Sequence, residues 1–229
     1  MTTATAPAAL RLKVPYVAST IGRKVVMAVT GLVLFGFVLV HMIGNLTLYA
    51  GPEAMDGYSR FLHTFLHGGG LWIARVVLLT CAVLHVWSAA SLTLDSWAAR
   101  PVGYRLWKAK DSTYASRTMR WGGVILFLFI IFHILNLTLG HFDPGYVPGD
   151  VYANVVHAFR QWPVSVFYIV AMFALGLHLD HGVWSLFHTL GFSHPRYKRW
   201  LREAARGFAI LLVVGNCSFP IAVLAGWVR

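Results

Sequence analysis

Four histidines lie inside long hydrophobic segments of the chain, and histidine is a residue type that binds metals and carries protons. They are His41, His85, His133 and His178. An ionisable side chain inside a membrane is costly, so its presence there predicts a functional site. Four imidazoles are the number that two haems with two axial histidines each require. The pattern therefore predicts electron transfer, because such a haem has no open position for oxygen or substrate.

The composition predicts that these histidines belong to an integral membrane protein. Hydrophobic residues make up 58% of the 229 residues and charged residues 12%, and the mean hydropathy is +0.65. Five segments are long enough to cross a hydrocarbon core of about 30 Å as helices. We expect an all-α, up-and-down bundle of five transmembrane helices, with residues 1–24 as an N-terminal segment and 25–229 as one membrane domain. The helices are predicted near 25–49, 71–97, 119–139, 163–190 and 208–228.

Basic residues are concentrated before the first segment and in every second connection, which predicts the orientation. By the positive-inside rule the N-terminus is cytoplasmic and the C-terminus lies outside. The formal charge of +11 is then mainly a topology signal, and no nucleic-acid partner is expected. The basic face could dock a soluble partner or anionic membrane lipid. The residues concerned are Arg11, Lys13, Arg23, Lys24, Arg100, Arg105, Lys108, Lys110, Arg117, Arg120, Arg196, Lys198, Arg199, Arg202 and Arg206.

Counting residues from the predicted helix ends sorts the four histidines into two layers. His41 and His133 lie roughly 10–15 Å from the outer ends, whereas His85 and His178 lie roughly 22 Å from them. We therefore expect an outer haem on His41 and His133 and an inner haem on His85 and His178, offset by roughly 10 Å. The alternative for any one of them is a histidine that only bonds a neighbouring helix. His181, three residues after His178, is the competing ligand.

Other sequence features limit what the chain can do alone. A tail of Asn-Leu-Thr-Leu follows both His41 and His133, which indicates two related helix pairs. Cys81 and Cys217 both fall inside predicted helices, so no iron–sulfur motif is present, and no dinucleotide fingerprint occurs. The electron donor is therefore expected on other chains, and a membrane quinone is the expected acceptor.

Two stretches resemble a known family. The run from Gly36 to Asn45, which contains His41, and the stretch from Leu175 to Gly191, which contains His178, are similar to the five-helix, two-haem cytochrome b anchor subunits of succinate:quinone oxidoreductases. That family includes quinol:fumarate reductases. The resemblance runs from about Arg23 to Trp227 and places the outer ligands on His41 and His133 and the inner ligands on His85 and His178.

The resemblance also implies cofactors and partners. It implies two haem b groups here, menaquinone as the quinone, and a bacterial cytoplasmic membrane. It implies a flavoprotein subunit with FAD and an iron–sulfur subunit, both on the cytoplasmic face, and hence a role in succinate oxidation or fumarate reduction. Two positions depart from some two-haem members. Gly176 stands where they carry a glutamate, and His63 stands near the place of a carboxylate used in quinol chemistry. His63 is therefore the quinone-site candidate, with a solvated loop histidine as the alternative.

Three other functions fit parts of the same pattern. The chain could be the two-haem anchor of another respiratory oxidoreductase. It could be a transporter whose histidines bind a cation directly. It could also be a haem-free subunit that only tethers its partners. A haem spectrum separates the last two from the first.

Overall fold

The computed structural model of the chain is helical, and it describes residues 19–100, 102, 112–192 and 194–229. No strand occurs within these ranges. Residues 1–18 of the predicted N-terminal segment, with Arg11 and Lys13, lie outside the described residues, as do Arg105, Lys108 and Lys110.

Five long helices form the body of the molecule and two short helices connect them. Each long helix is long and apolar enough to cross a membrane, so the predicted all-α membrane fold with five spans is confirmed. The orientation stays a prediction. The long helices are α1 (Thr20–Asn45), α3 (Gly69–Ala98), α4 (Tyr114–His133), α6 (Trp162–Thr189) and α7 (Pro195–Leu224), and the short ones are α2 (Pro52–Thr64) and α5 (Val151–Arg160).

The two short helices lie at the same end of the bundle, where the sequence analysis expected only connections. α2 follows a 3₁₀ segment, Leu46–Ala50, and α5 lies between α4 and α6. α2 packs against α5, and α5 packs against α7. We call this the short-helix end. The opposite end, where α1, α4 and α7 begin and α3 and α6 finish, is called the basic end.

Several helices extend beyond their predicted limits because they continue through polar residues at their ends. α7 begins at Pro195, not near 208, with His194 accepting the Arg196 N–H as its cap and proline in the first turn. α4 begins at Tyr114, not near 119, because the Thr113 hydroxyl caps the Ser116 N–H. Hydropathy detects only the apolar part of a helix, so these polar turns were not predicted.

Close packing sorts the long helices into two antiparallel pairs and a covering helix. α1 packs along α3, α4 packs along α6, and α7 packs mainly against α6. Arg23 and Asp95 form an ion pair that joins α1 to α3 at the basic end. Small residues permit the close approaches, as is usual between membrane helices. At Gly31 of α1, for example, an added Cβ would lie 3.1 Å from Cε1 of His85 on α3.

Gly176, where some two-haem anchors carry a glutamate, lies in the contact between α6 and α7. The glycine at this position therefore has a packing role. An added Cβ would lie 2.5 Å from Cγ2 of Val213 on α7. We expect Gly176→Ala to destabilise the protein by about 1–3 kcal/mol, because a branched valine side chain must move to admit the methyl group. Thermal unfolding in detergent measures the effect.

Gly182→Ala is the matched control, since Gly182 lies on the same helix and an added Cβ would meet nothing within 4 Å. Alanine favours a helix over glycine by about 1 kcal/mol, so this variant should unfold at the same or a higher temperature. Equal destabilisation by the two variants would contradict the α6–α7 contact.

Candidate functional site

His41 and His133 lie beside each other although they come from α1 and α4, which are not packing partners. Their ring centroids are 5.9 Å apart and the ring planes are nearly perpendicular, at 85°. The Phe37 ring stacks on His41 with its centroid 5.3 Å away. We call His41 and His133 the His41 pair. The sequence predicted that these two histidines belong together.

His85 and His178 form a similar contact between α3 and α6. Their ring centroids are 6.3 Å apart and the planes meet at 58°. We call these two residues the His85 pair. Each pair takes one histidine from the α1–α3 helix pair and one from the α4–α6 helix pair, so both contacts lie between the two helix pairs.

The two pairs lie at different levels of the bundle. The His85 ring contacts Met27 and Thr30, near the basic end of α1, whereas His41 comes eleven residues after Thr30. Eleven residues correspond to about 16 Å along a helix. On α6, His178 comes ten residues after Tyr168, which contacts His133, and this gives about 15 Å. The offset is larger than the roughly 10 Å expected from helix ends, because those ends were misplaced.

The contacts of His85 determine which of its ring nitrogens is free. Nδ1 lies 3.1 Å from the Met27 carbonyl oxygen and 3.4 Å from Oγ1 of Thr30. A carbonyl oxygen only accepts, so Nδ1 carries the proton and donates it. The lone pair of Nε2 is then available to a metal. A backbone carbonyl on the second nitrogen is the usual arrangement for metal-binding histidines.

Tyr168 contacts Nδ1 of His133, as Met27 contacts Nδ1 of His85. Tyr168 was not among the residues predicted from the sequence. Its hydroxyl oxygen lies 3.2 Å from Nδ1 of His133, and the residue is only 6% exposed. The rings of Phe129, Phe132 and Phe159 surround it. A buried tyrosine hydroxyl in an apolar helix usually has a hydrogen-bond partner. The tyrosine within the apolar sequence of α6 was therefore the sequence feature that could have indicated this contact.

His178 and His181 differ in their surroundings. Nδ1 of His178 is buried and has no hydrogen-bond partner within the described part of the chain. His181 instead lies near Trp184, with ring centroids 6.2 Å apart, and lines a cavity at the basic end. The structure therefore brings His178, rather than the competing His181, against His85.

His63 lies apart from both pairs, on α2 at the short-helix end. It is exposed, and its Nδ1 is 2.8 Å from the Ser59 carbonyl oxygen. That carbonyl accepts the Nδ1 proton, so Nε2 is left as a proton acceptor. The structure places His63 at the end nearer the His41 pair.

The imidazole spacing is suited to a metal centre with two protein ligands. Histidine nitrogens bind metals at about 2.0–2.1 Å, so two ligands on opposite sides of one metal have nitrogens about 4 Å apart and ring centres about 6 Å apart. Both pairs have this spacing. No cluster of three or more histidine, cysteine, aspartate or glutamate side chains suited to a metal ion occurs among the described residues. Each pair would therefore supply two histidine ligands to a metal centre whose other ligands come from a cofactor.

Residues 99–215 match the family model described as the succinate dehydrogenase/fumarate reductase transmembrane subunit. No curated protein and no solved structure has a significant match to the chain. The matched region is more than half of the chain and contains one histidine of each pair, His133 and His178. The chain belongs to the family of transmembrane subunits of succinate dehydrogenase and fumarate reductase.

Proposed function

We propose that this membrane subunit binds two haem b groups, one between His41 and His133 and one between His85 and His178. The observation that carries the proposal is the spacing of the two imidazole pairs, with ring centroids 5.9 and 6.3 Å apart. A haem with two histidine ligands exchanges single electrons. The subunit then conducts electrons between its partner subunits and a membrane quinone.

The residues around each pair would orient the ligands. The Met27 carbonyl holds the Nδ1 proton of His85 and directs Nε2 away from α1. Gly31 permits α1 to approach that ring, since an added Cβ would lie 3.1 Å from Cε1 of His85. Around His133 the aromatic rings of Phe129 and Tyr168 exclude water from the ligand. Fixed ligand orientation and a low dielectric both influence the potential of a metal centre.

The proposed partners are a flavoprotein with FAD and an iron–sulfur subunit, docked at the basic end. Exposed arginines at the start of α7, Arg196 and Arg199 among them, support docking of an acidic protein surface there. By the positive-inside rule this end faces the cytoplasm of a bacterial cell. The His85 pair is the nearer of the two to that end.

Quinone, which we propose to be menaquinone, would react at the short-helix end. His63 supports this position because it is exposed on α2 and its Nε2 can accept a proton. Quinone reduction consumes protons as well as electrons, and an imidazole can both accept and release a proton.

Replacing single ligands tests the haem assignment. We expect the complex purified through this chain to contain two haems, and His41→Ala, His133→Ala, His85→Ala and His178→Ala each to lose one of them. Added imidazole should restore the lost haem where the variant folds. The measurement is a reduced-minus-oxidised spectrum with quantified haem b.

His181→Ala serves as the control for the ligand variants, because His181 lies in the same helix but faces Trp184. It should retain both haems. A wild-type complex that contains no haem would refute the proposal and leave the tether and transporter alternatives. Loss of a haem in His181→Ala would show that His178 is the wrong choice of ligand on α6.

A second prediction concerns Tyr168. A ligand that binds through Nε2 donates its Nδ1 proton to the tyrosine oxygen, which increases electron donation to the metal. Tyr168→Phe should therefore raise the midpoint potential of one haem and leave the other unchanged, in a potentiometric titration of the spectrum. Tyr152→Phe is the control, since that hydroxyl bonds the Arg229 carbonyl at 3.0 Å. A shift of both haems, or of neither, would contradict the assigned contact.

A third prediction concerns proton transfer to quinone. Removal of a general acid or base commonly costs about 100-fold or more in rate, so His63→Ala should lower quinone-dependent turnover by about that factor and leave both haems bound. His141→Ala is the control, because His141 is an exposed loop histidine after α4, at the same end of the bundle, and is not a quinone-site candidate. His67 is a lesser candidate for the quinone site and cannot serve as a control. Unchanged turnover in His63→Ala would remove this residue from the quinone site.

A further inference from the structure

A cavity of ≈ 360 Å³ at the basic end is lined by none of the four paired histidines. Three helices contribute to its wall: the start of α4, the last turns of α6 and the start of α7. Most of its side chains are polar or charged. The lining residues are Ser112, Thr113, Ser116, Asp180, His181, Trp184 and Arg202.

The cavity contains a cation, Arg202, that no carboxylate among the described residues neutralises. Arg202 forms no ion pair with any described residue, and its guanidinium lies 5.2 Å from the centre of the Trp184 ring. Asp180, the acidic residue of the wall, instead pairs with Arg206 at 3.7 Å. Arg206 also contacts Glu203 at 3.4 Å. Within the described part of the chain, the positive charge of Arg202 therefore remains for a ligand.

The cavity also contains a hydrogen-bond donor without an acceptor. The indole Nε1 of Trp184 is buried and has no partner within the described ranges. A buried donor without an acceptor is destabilising, so an acceptor from a ligand would be favourable. The N-terminus of α4, with the hydroxyls of Thr113 and Ser116, faces the same space. A helix N-terminus favours an anion. These groups together select an oxyanion.

An apolar strip on α6 leads to this cavity. Val166, Val170, Phe173 and Leu177 follow one another at intervals of three and four residues, and His181 and Trp184 continue the same line. The four apolar side chains are 37–60% exposed. This spacing places them on one face of the helix.

The strip lies on the face of α6 between the contacts of this helix with α4 and with α7, and we call this face the groove. On one side of it, an added Cβ at Gly122 of α4 would lie 4.0 Å from the Ala174 carbonyl oxygen. On the other side, Gly176 faces Val213 of α7. The apolar groove therefore runs along the membrane-spanning part of α6 and ends at an oxyanion site.

We propose that the cavity binds the phosphate of an anionic phospholipid, with an acyl chain in the groove on α6. The occupant must combine an anionic head with an apolar chain of membrane length, and a phospholipid does so. A quinone has an apolar chain too, but its carbonyl oxygens are uncharged and do not require Arg202. Anionic lipids are concentrated in the cytoplasmic leaflet, which the predicted orientation places at this end. None of the four proposed haem ligands lines this site.

The test is binding of phosphatidylglycerol to the delipidated complex, purified with its partner subunits and measured by native mass spectrometry. One phosphatidylglycerol should bind more tightly than phosphatidylcholine. Arg202→Gln removes a charged hydrogen-bond donor to the phosphate, so it should weaken phosphatidylglycerol binding by about tenfold or more. Trp184→Phe, which keeps the ring and removes the N–H, should weaken it by about fivefold.

Arg160→Gln is the control. It removes the same charge, but Arg160 is exposed at the end of α5, at the short-helix end, and does not line the cavity, so phosphatidylglycerol binding should not change. Unchanged binding in Arg202→Gln, or an equal loss in Arg160→Gln, would overturn the proposal. So would displacement of the lipid by inorganic phosphate at equal concentration, since the groove would then contribute nothing, or displacement by menaquinone.

Discussion

An imidazole nitrogen inside a membrane has no water to bond, so each one needs a partner within the protein or its ligands. Two of the four membrane histidines have such partners on Nδ1: the Met27 carbonyl bonds His85, and the Tyr168 hydroxyl bonds His133. Both bonds fix a ring orientation, and the Met27 carbonyl, which only accepts, leaves Nε2 of His85 for another use. The facing rings lie 5.9 and 6.3 Å apart. Each histidine faces one from a helix that is not its packing partner.

The paired histidines take part in contacts within a helix pair as well as between the pairs. Within the first pair, Gly31 of α1 approaches the His85 ring, and the Arg23–Asp95 ion pair joins the helix ends. Between the pairs, the imidazoles face each other. α7 packs against α6 through Gly176, which is why this position has no room for a larger side chain. The apolar strip of the proposed phospholipid site lies on α6 between the α4 and α7 contacts.

Much of the fold could be predicted from the sequence because the lipid environment requires long apolar helices. The five spans and the grouping of His41 with His133 and His85 with His178 needed only hydropathy and residue counting. The short helices α2 and α5 were not predicted, because they are not long enough to give a span-length hydropathy signal. The Tyr168 contact depends on how α4 rotates against α6, and no single-sequence pattern encodes that rotation. The distance between the two histidine levels was underestimated because the α-helices α1 and α4 end at Asn45 and His133, before the predicted outer ends near 49 and 139 from which the depths were counted.

The division into two helical hairpins has a consequence for biogenesis. The α1–α3 and α4–α6 hairpins each contain their own packing contacts, so each can assemble as it leaves the insertion machinery, before the other is complete. Under the proposed function, neither hairpin alone can bind a haem with two protein ligands, because every pair takes one histidine from each. Haem insertion would then be a late event that closes the two hairpins onto each other. A chain synthesised without haem would be correctly inserted yet remain loosely closed, a form that membrane proteases can recognise.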